Sequence, residues 1–329
     1  MSVVNRPADI LGVNLAGVAL RNPVILAAGT CGYLDEMNDA IDLARVGAVV
    51  TKSITRLPRD GNATWRIIET RSGMMNAIGL ANVGVEAFSR EIAPRVASVP
   101  TTVIGSIAGF SIDDYVAVAA AMDDCDAIQA VEINVSCPNV HGGTEFGADP
   151  RSLSELVRAL RPVLSRARLF VKLSPIANGP LPIKDVARSA IEAGAQPAGP
   201  NSRPGADAIC LANTMPAMAI DVHSRRPRLA NITGGLSGPA IHPIAVKLVH
   251  DCYRAIAKDT STPIIGIGGV LSWEDAAEFI LAGASAVEMG TSLFVDPRSP
   301  LKVIAGLEKW ARAQGAARIS DLVGGVKLE

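Results

Sequence analysis

The segment EINVSCPNVHGG, residues 132 to 143, sets a thiol, Cys137, between two asparagines, Asn134 and Asn139, directly after an apolar run. Core packing gives no reason for a cysteine in so polar a stretch, followed as it is by Pro138. A thiol ionises near about pH 8.5, and where its surroundings favour the thiolate it serves as a general base or a nucleophile. His141 stands four positions away, which establishes no contact, so the pattern favours proton abstraction from a bound ligand over a protease-like dyad. Cys125, Cys210 and Cys252 read instead as inert small hydrophobes.

Other residues could share that chemistry. Lys52 and Lys172 each end an apolar run, where a charge needs solvent or an anionic partner. Asn76, Asn134, Asn139 and Asn213 offer donors and acceptors without charge, which suits a flat, amide-rich ligand, although any one alone reads as a turn or cap residue. Three glycine-rich stretches, GGLSGP (234–239), GIGG (266–269) and MGTS (289–292), could hold phosphate on backbone N–H groups, where a lone glycine would merely turn the chain. No G-x-G-x-x-G follows a strand-like run, so a mononucleotide fits better than a dinucleotide. A flavin is the economical choice, because a lysine beside its pyrimidine end would stabilise the reduced anion.

Those residues need a frame. Eight apolar runs read as strands: 23–29, 47–53, 101–107, 130–136, 169–175, 208–214, 263–269 and 285–291. Amphipathic segments lie between them at 35–46, 111–124, 149–164, 183–194, 241–257 and 272–283, several opening on Ser or Asp and closing on Gly. Strands apolar on both faces that alternate with helices imply a parallel sheet, and eight units favour closure. The fold class is therefore α/β, a (β/α)8 TIM barrel. The polar residues and glycines cluster at the C-terminal ends of the runs, the face on which such barrels build their sites. Residues 53–82 are too long for a simple connection and read as a small hairpin or lid over that face, whereas 195–206, rich in Pro, Gly and Ala, reads as a surface insertion of low order. No linker divides the chain, so one domain over residues 1–329 is expected.

Composition excludes several classes. Thirty-one basic against 32 acidic side chains give a net charge of −1, which creates no field to gather nucleic acid or an anionic membrane. Five cysteines without metal-ligand spacing suit a reducing compartment and supply neither a disulfide framework nor a metal or iron–sulfur site. The N-terminus carries no signal pattern and no apolar run reaches 18 residues, so a cytoplasmic, non-membrane protein is expected.

The motifs TKSITRLPRDGN, NAIGLAN, EINVSCPN, VKLSP, LANTMPAMAID, RPRLANITGGLSGPA, GIGGV and LAGASAVEMGT, spread over nearly the whole chain, resemble the class 1 dihydroorotate dehydrogenases. Within that class ANT followed by AID, together with TGGLSGPA, is similar to the type 1B catalytic subunit. The resemblance implies an FMN-containing barrel that oxidises dihydroorotate to orotate in pyrimidine (UMP) synthesis. It makes Cys137 the base that removes the C5 proton while hydride leaves C6 for flavin N5. It implies substrate contacts from Lys52, Asn76, Asn134, Asn139, Asn213 and Thr214. It implies flavin and phosphate contacts from Ala28, Gly29, Lys52, Ser53, Asn134, Lys172, Gly238, Gly268, Gly269, Gly290 and Thr291. It further implies a homodimer core in a heterotetramer, with a second subunit whose FAD and 2Fe–2S cluster pass electrons to NAD+. The insertion at 195–206 and His141, where lysine is common, depart from the pattern and bear on subunit docking more than on chemistry. Rival readings are a fumarate-using class 1A enzyme, a dihydropyrimidine dehydrogenase-like flavin domain, a non-redox phosphate-binding lyase or isomerase and, least fitting, a non-catalytic scaffold.

Overall fold

In the computed structural model, residues 10–136, 146–175, 182–194 and 203–328 are described. Eight short strands close into one parallel barrel: β1 (Val24–Leu26), β2 (Ala48–Val50), β3 (Thr102–Ile107), β4 (Ile128–Asn134), β5 (Arg168–Lys172), β6 (Ala208–Leu211), β7 (Ile264–Ile267) and β8 (Ala286–Met289). Each pairs in parallel with its neighbour in the chain, and β8 returns to β1. All eight coincide with the apolar runs marked in the sequence, although β4 begins two residues before its run and β5 one residue before. Strands such as β1, β2, β6 and β8 are buried at every position, which is why they read as unbroken apolar runs rather than alternating ones.

Two apolar layers result. The larger lies between the strands and the surrounding helices, and a smaller one fills the barrel interior with Ile25, Ala48, Ile104, Ala130, Phe170, Ala208, Ile265 and Ala286. A hairpin of Val13–Leu15 and Val18–Leu20 adds Leu15, Val18 and Leu20 to that inner layer, closing the barrel bottom. The interior is thus sealed below. Ligand access is from the top.

Local chemistry sets the helices that were legible in sequence. Helix α1 (Ile112–Asp123) opens with Ser111 accepting from the Asp114 amide and buries Tyr115, Val118, Ala119 and Met122. Helix α2 (Pro150–Leu160) follows an Asp149 cap, with proline in its first turn. Helices α3 (Ile183–Glu192) and α4 (His242–Cys252) cover the next connections, and α5 (Trp273–Ala282) starts with a Ser272–Asp275 capping box and stops at Gly283. A further helix, α6 (Ser299–Ala313), outside the expected segments, buries Val303, Leu307 and Ala311 at a four-residue spacing. No described helix is long and apolar enough to cross a membrane.

Two expectations are corrected. Residues 35–46 form turns and a single 3-10 turn at Leu43–Arg45, not a helix. Glu36 accepts from the Tyr33 and Leu34 amides, and Asp42 accepts from Ala44, so acidic side chains satisfy backbone donors locally and compete with the helical ladder. Second, of the stretch GGLSGP, read in sequence as turn or phosphate-holding backbone, GGLS belongs to a strand, Thr233–Ser237, and Gly238 lies just beyond it at φ +89°. The strand pairs with Met215–Met218 on one side and with Gly73–Asn76 on the other. The hairpin expected within 53–82 is present as Ile67–Thr70 and Gly73–Asn76, and these four strands make one antiparallel sheet. A Cβ on Gly235 would lie 1.8 Å from Thr214 Oγ1, so glycine is what lets this strand press on Thr214.

Of the insertion, 195–202 lie outside the described residues. Its end is tied down, with the Gly205 and Ala206 amides donating to Ile191 and Ala190 and with Ala206 fully buried.

Candidate active site

Side chains two apart on a strand share a face. Ala130, Phe170, Ala208 and Ala286 belong to the inner apolar layer, so Glu132, Lys172, Cys210 and Glu288 point into the same interior one step nearer the mouth. Asn134 follows Glu132 by a further two. The barrel therefore changes from apolar to polar within one side-chain layer.

Above that change lies a cavity of about 230 Å³. Lys52, Asn76, Asn134, Asn213 and Thr214 line it, as do Ala28, Gly29, Ser53 and Lys172. Gly238, Gly268, Gly269, Gly290 and Thr291 complete one wall. Every described residue expected to contact substrate or flavin is thus brought to a single cavity. Cys137, Asn139 and His141 lie outside the described residues.

The glycine wall is a close-packed backbone surface. Gly269 has φ of +71°, and a Cβ there would meet the Gly238 carbonyl at 2.7 Å. Gly29, at φ +82°, has nothing within 4 Å of its Cβ position, which leaves open space beside the cavity. Thr291 donates to Ser237 (2.7 Å), tying the loop after β8 to the end of the covering sheet. His242 Nδ1 bonds the Gly268 carbonyl at 2.8 Å, holding the loop after β7 from behind.

Opposite stands a chain of amides. Asn213 Nδ2 donates to Asn134 Oδ1 (3.0 Å) and to Ser136 (3.1 Å), and Asn213 Oδ1 accepts from the Thr214 amide (2.8 Å). Tyr115 donates to the Asn134 carbonyl at 2.6 Å. These bonds occupy Asn134 Oδ1 and leave its Nδ2 without a protein acceptor among the described residues. Asn76 reaches the same cavity from the covering sheet, paired with Gly235.

The two lysines differ. Burial, followed by the nearby Arg66 charge, lowers the pKa of Lys52, and no carboxylate among the described residues lies within ion-pairing distance of it. Lys172 is instead countered within the protein. Its Nζ lies 2.8 Å from Glu288 Oε2 and 3.4 Å from Glu132 Oε1. Burial would lower it, but the two carboxylates prevail and hold the ammonium well above the ordinary lysine range. Burial pushes Glu288 up to about 8, with the Glu132 charge adding to the rise and Lys172 opposing it. Burial likewise holds Cys210 protonated, as expected of an inert thiol.

Glu132 and Glu288 were missed in sequence, though each is only 1% exposed and lines the cavity. The signal was available. Both sit in the tripeptide AVE inside a run that is otherwise apolar, where a buried carboxylate demands a partner.

The family model described as "Dihydroorotate dehydrogenase" matches residues 10–310. A protein of Pelobacter propionicus named "Dihydroorotate dehydrogenase B (NAD(+)), catalytic subunit" is 46% identical over 96% of this chain and 98% of its own length. Proteins of the same name from Geotalea daltonii and Bacteroides fragilis are 44% and 41% identical, each over 97% of this chain and at least 98% of their own.

Proposed function

The chain belongs to the dihydroorotate dehydrogenase family, and on that premise we propose that it oxidises dihydroorotate to orotate in UMP synthesis as a cytoplasmic FMN enzyme. One barrel unit over residues 1–329 carries this half-reaction. The observation that carries the reading is the convergence of an amide row, a lysine with no paired carboxylate among the described residues and a glycine wall on one cavity at the C-terminal ends of the strands.

The residues present fit a flavin mononucleotide. The packed backbone around Gly238, Gly268, Gly269 and Gly290 offers N–H groups for a phosphate with no Cβ in the way, and Lys172 with Lys52 supplies cations for the ring's pyrimidine edge. When bound, the flavin supplies a two-electron acceptor for hydride.

Substrate recognition falls to Asn76, Asn134, Asn213 and Thr214, joined by Asn139. Their donors and acceptors match a dihydropyrimidine's two amide groups, and Lys52 matches its carboxylate. Asn134 is held by Asn213 and Tyr115, so its Nδ2, which has no acceptor among the described residues, is preorganised. Ile67, Met74, Ile78 and Leu80 cover the mouth with apolar surface and exclude water. Cys137 takes the C5 proton as the C6 hydride departs.

The relatives' name includes "catalytic subunit" and NAD(+). This supports a partner subunit that passes electrons to NAD+. To that partner we assign FAD and a 2Fe–2S cluster, for which the five cysteines of this chain have no spacing, and to this chain a homodimer core. The test is anaerobic mixing of the purified chain with dihydroorotate while flavin absorbance is followed. Bleaching that neither fumarate nor NAD+ reverses supports the partner. Reversal by fumarate favours a class 1A enzyme, and a flavin-loaded chain that fails to bleach removes the substrate assignment.

A further inference from the structure

Beneath the cavity, three charged side chains from three strands meet in a site closed to water. Glu132, on β4, and Glu288, on β8, flank Lys172 of β5, and each carboxylate is 1% exposed. One ammonium cannot neutralise two carboxylates, and an excess charge in such a place is expensive. The remaining oxygens, Glu132 Oε2 and Glu288 Oε1, are buried with no hydrogen-bond donor among the described residues. Glu132, Glu288 and the Cys210 sulfur each place a ligand atom within 4.8 Å of the others. That spacing could suit a cation, but the Lys172 ammonium already occupies this role at 2.8 Å and 3.4 Å. The donor that the orphan oxygens lack is a proton. Two carboxylates so close do not both ionise.

We propose that Glu132 and Glu288 share one proton, that with Lys172 they form a neutral floor under the cavity, and that losing this proton at alkaline pH makes reduction of the bound flavin harder. The second half rests on the flavin reading above. Glu288 is thus a positioning residue: it holds Lys172 at the pyrimidine edge and sets the net charge there. The proton takes no part in dihydroorotate oxidation, in which Cys137 would accept the C5 proton and a bound flavin would supply the hydride acceptor. Only on raising the pH does Glu–COOH become Glu–COO⁻, releasing its proton to solvent. The negative charge then added opposes the negative charge that reduction brings to the flavin. The titratable groups facing Glu288 are Glu132 from β4, Lys172 from β5, Cys210 from β6 and Cys31 from the turn after β1. Burial holds both thiols protonated, Cys31 up to about 12, so neither titrates in the same range as Glu288, which burial brings to about 8.

Infrared difference spectra of wild type against Glu288→Gln, taken on the protein as purified from about pH 6 to about pH 10, read the proton directly. The expected result is a protonated-carboxyl C=O band in the wild type that disappears with a midpoint near 8 and is lost in the variant. Glu132→Gln should lose it too, because the single carboxylate left then pairs with Lys172 and ionises. No such band in the wild type, or a band retained in Glu288→Gln, overturns the shared proton. The midpoint potential of the bound flavin, followed over the same range, reads the coupling. It should fall more steeply with pH in the wild type than in Glu288→Gln, and parallel slopes overturn that half. A band of the expected behaviour in a protein that binds no flavin upholds the proton pair while removing the flavin reading.

Discussion

Lys172 Nζ donates to Glu288 Oε2 at 2.8 Å, joining residues 116 positions apart in the chain. The bond reaches from the fifth barrel strand to the eighth across the interior. It ties the charge of the cavity floor to closure of the barrel.

Cutting that bond from the cationic side should be severe. Lys172→Met leaves two buried carboxylates without a counter-ion, and removing one member of a buried ionic group costs about 3–5 kcal/mol. Thermal unfolding should show a lowered Tm, with the deficit larger at alkaline than at acid pH, since acid allows both carboxyls to protonate.

Glu288→Gln should act oppositely on the pH profile of stability. Glu288 has a folded pKa raised to about 8, from an ordinary 4.5, by burial and then by Glu132. The folded state therefore holds more protons than the unfolded one between those values, and the stability linked to this group is complete below about 4.5 and is lost as pH rises through about 8. Glutamine carries no such linkage. The Tm of the variant relative to wild type should climb between those two pH values, and two parallel Tm profiles would argue against the assignment.

Gly269→Ala should release flavin without unfolding the barrel. The residue sits at φ +71°, where an L side chain costs roughly 1–2 kcal/mol, and its Cβ would press on the Gly238 carbonyl at 2.7 Å. The flavin-to-protein absorbance ratio of the purified variant should drop while its far-ultraviolet circular dichroism is kept.

Cys137→Ala removes the proposed base but none of the cavity wall described above. Flavin content should be retained, and bleaching by dihydroorotate should slow by about 10²–10⁴-fold, the usual worth of general base catalysis. Stopped-flow absorbance checks this, and an unchanged rate would move the base elsewhere.

Much of this molecule was legible along the chain. The eight barrel strands announced themselves because parallel strands buried on both faces must be apolar throughout, and Ser111, Asp149 and Ser272 marked helix starts by short-range capping. Lys52, Asn134, Asn213 and the glycines after β7 and β8 could be gathered onto one face because strand ends in such a barrel share a side. Local pattern misled where side chains compete with the backbone, as Glu36 and Asp42 do in place of a helix. It also misled at GGLS, residues 234–237, whose strand character depends on pairing with residues more than 150 positions earlier, such as Leu236 with Met75.

Period and capping, both short-range effects, thus specified which residues form strands and which of their ends face the cavity. They could not say what faces Lys172. Read alone, a lysine ending an apolar run asks for solvent or an external anion, and the chain offers no sign that Glu132 and Glu288 answer it. That was decided by closure of the barrel, which carries β8 round to β1 and so sets its inward glutamate against a lysine from β5. Charge compensation acts through space in a low-dielectric interior, and the distances that govern it exist only once the strands have met.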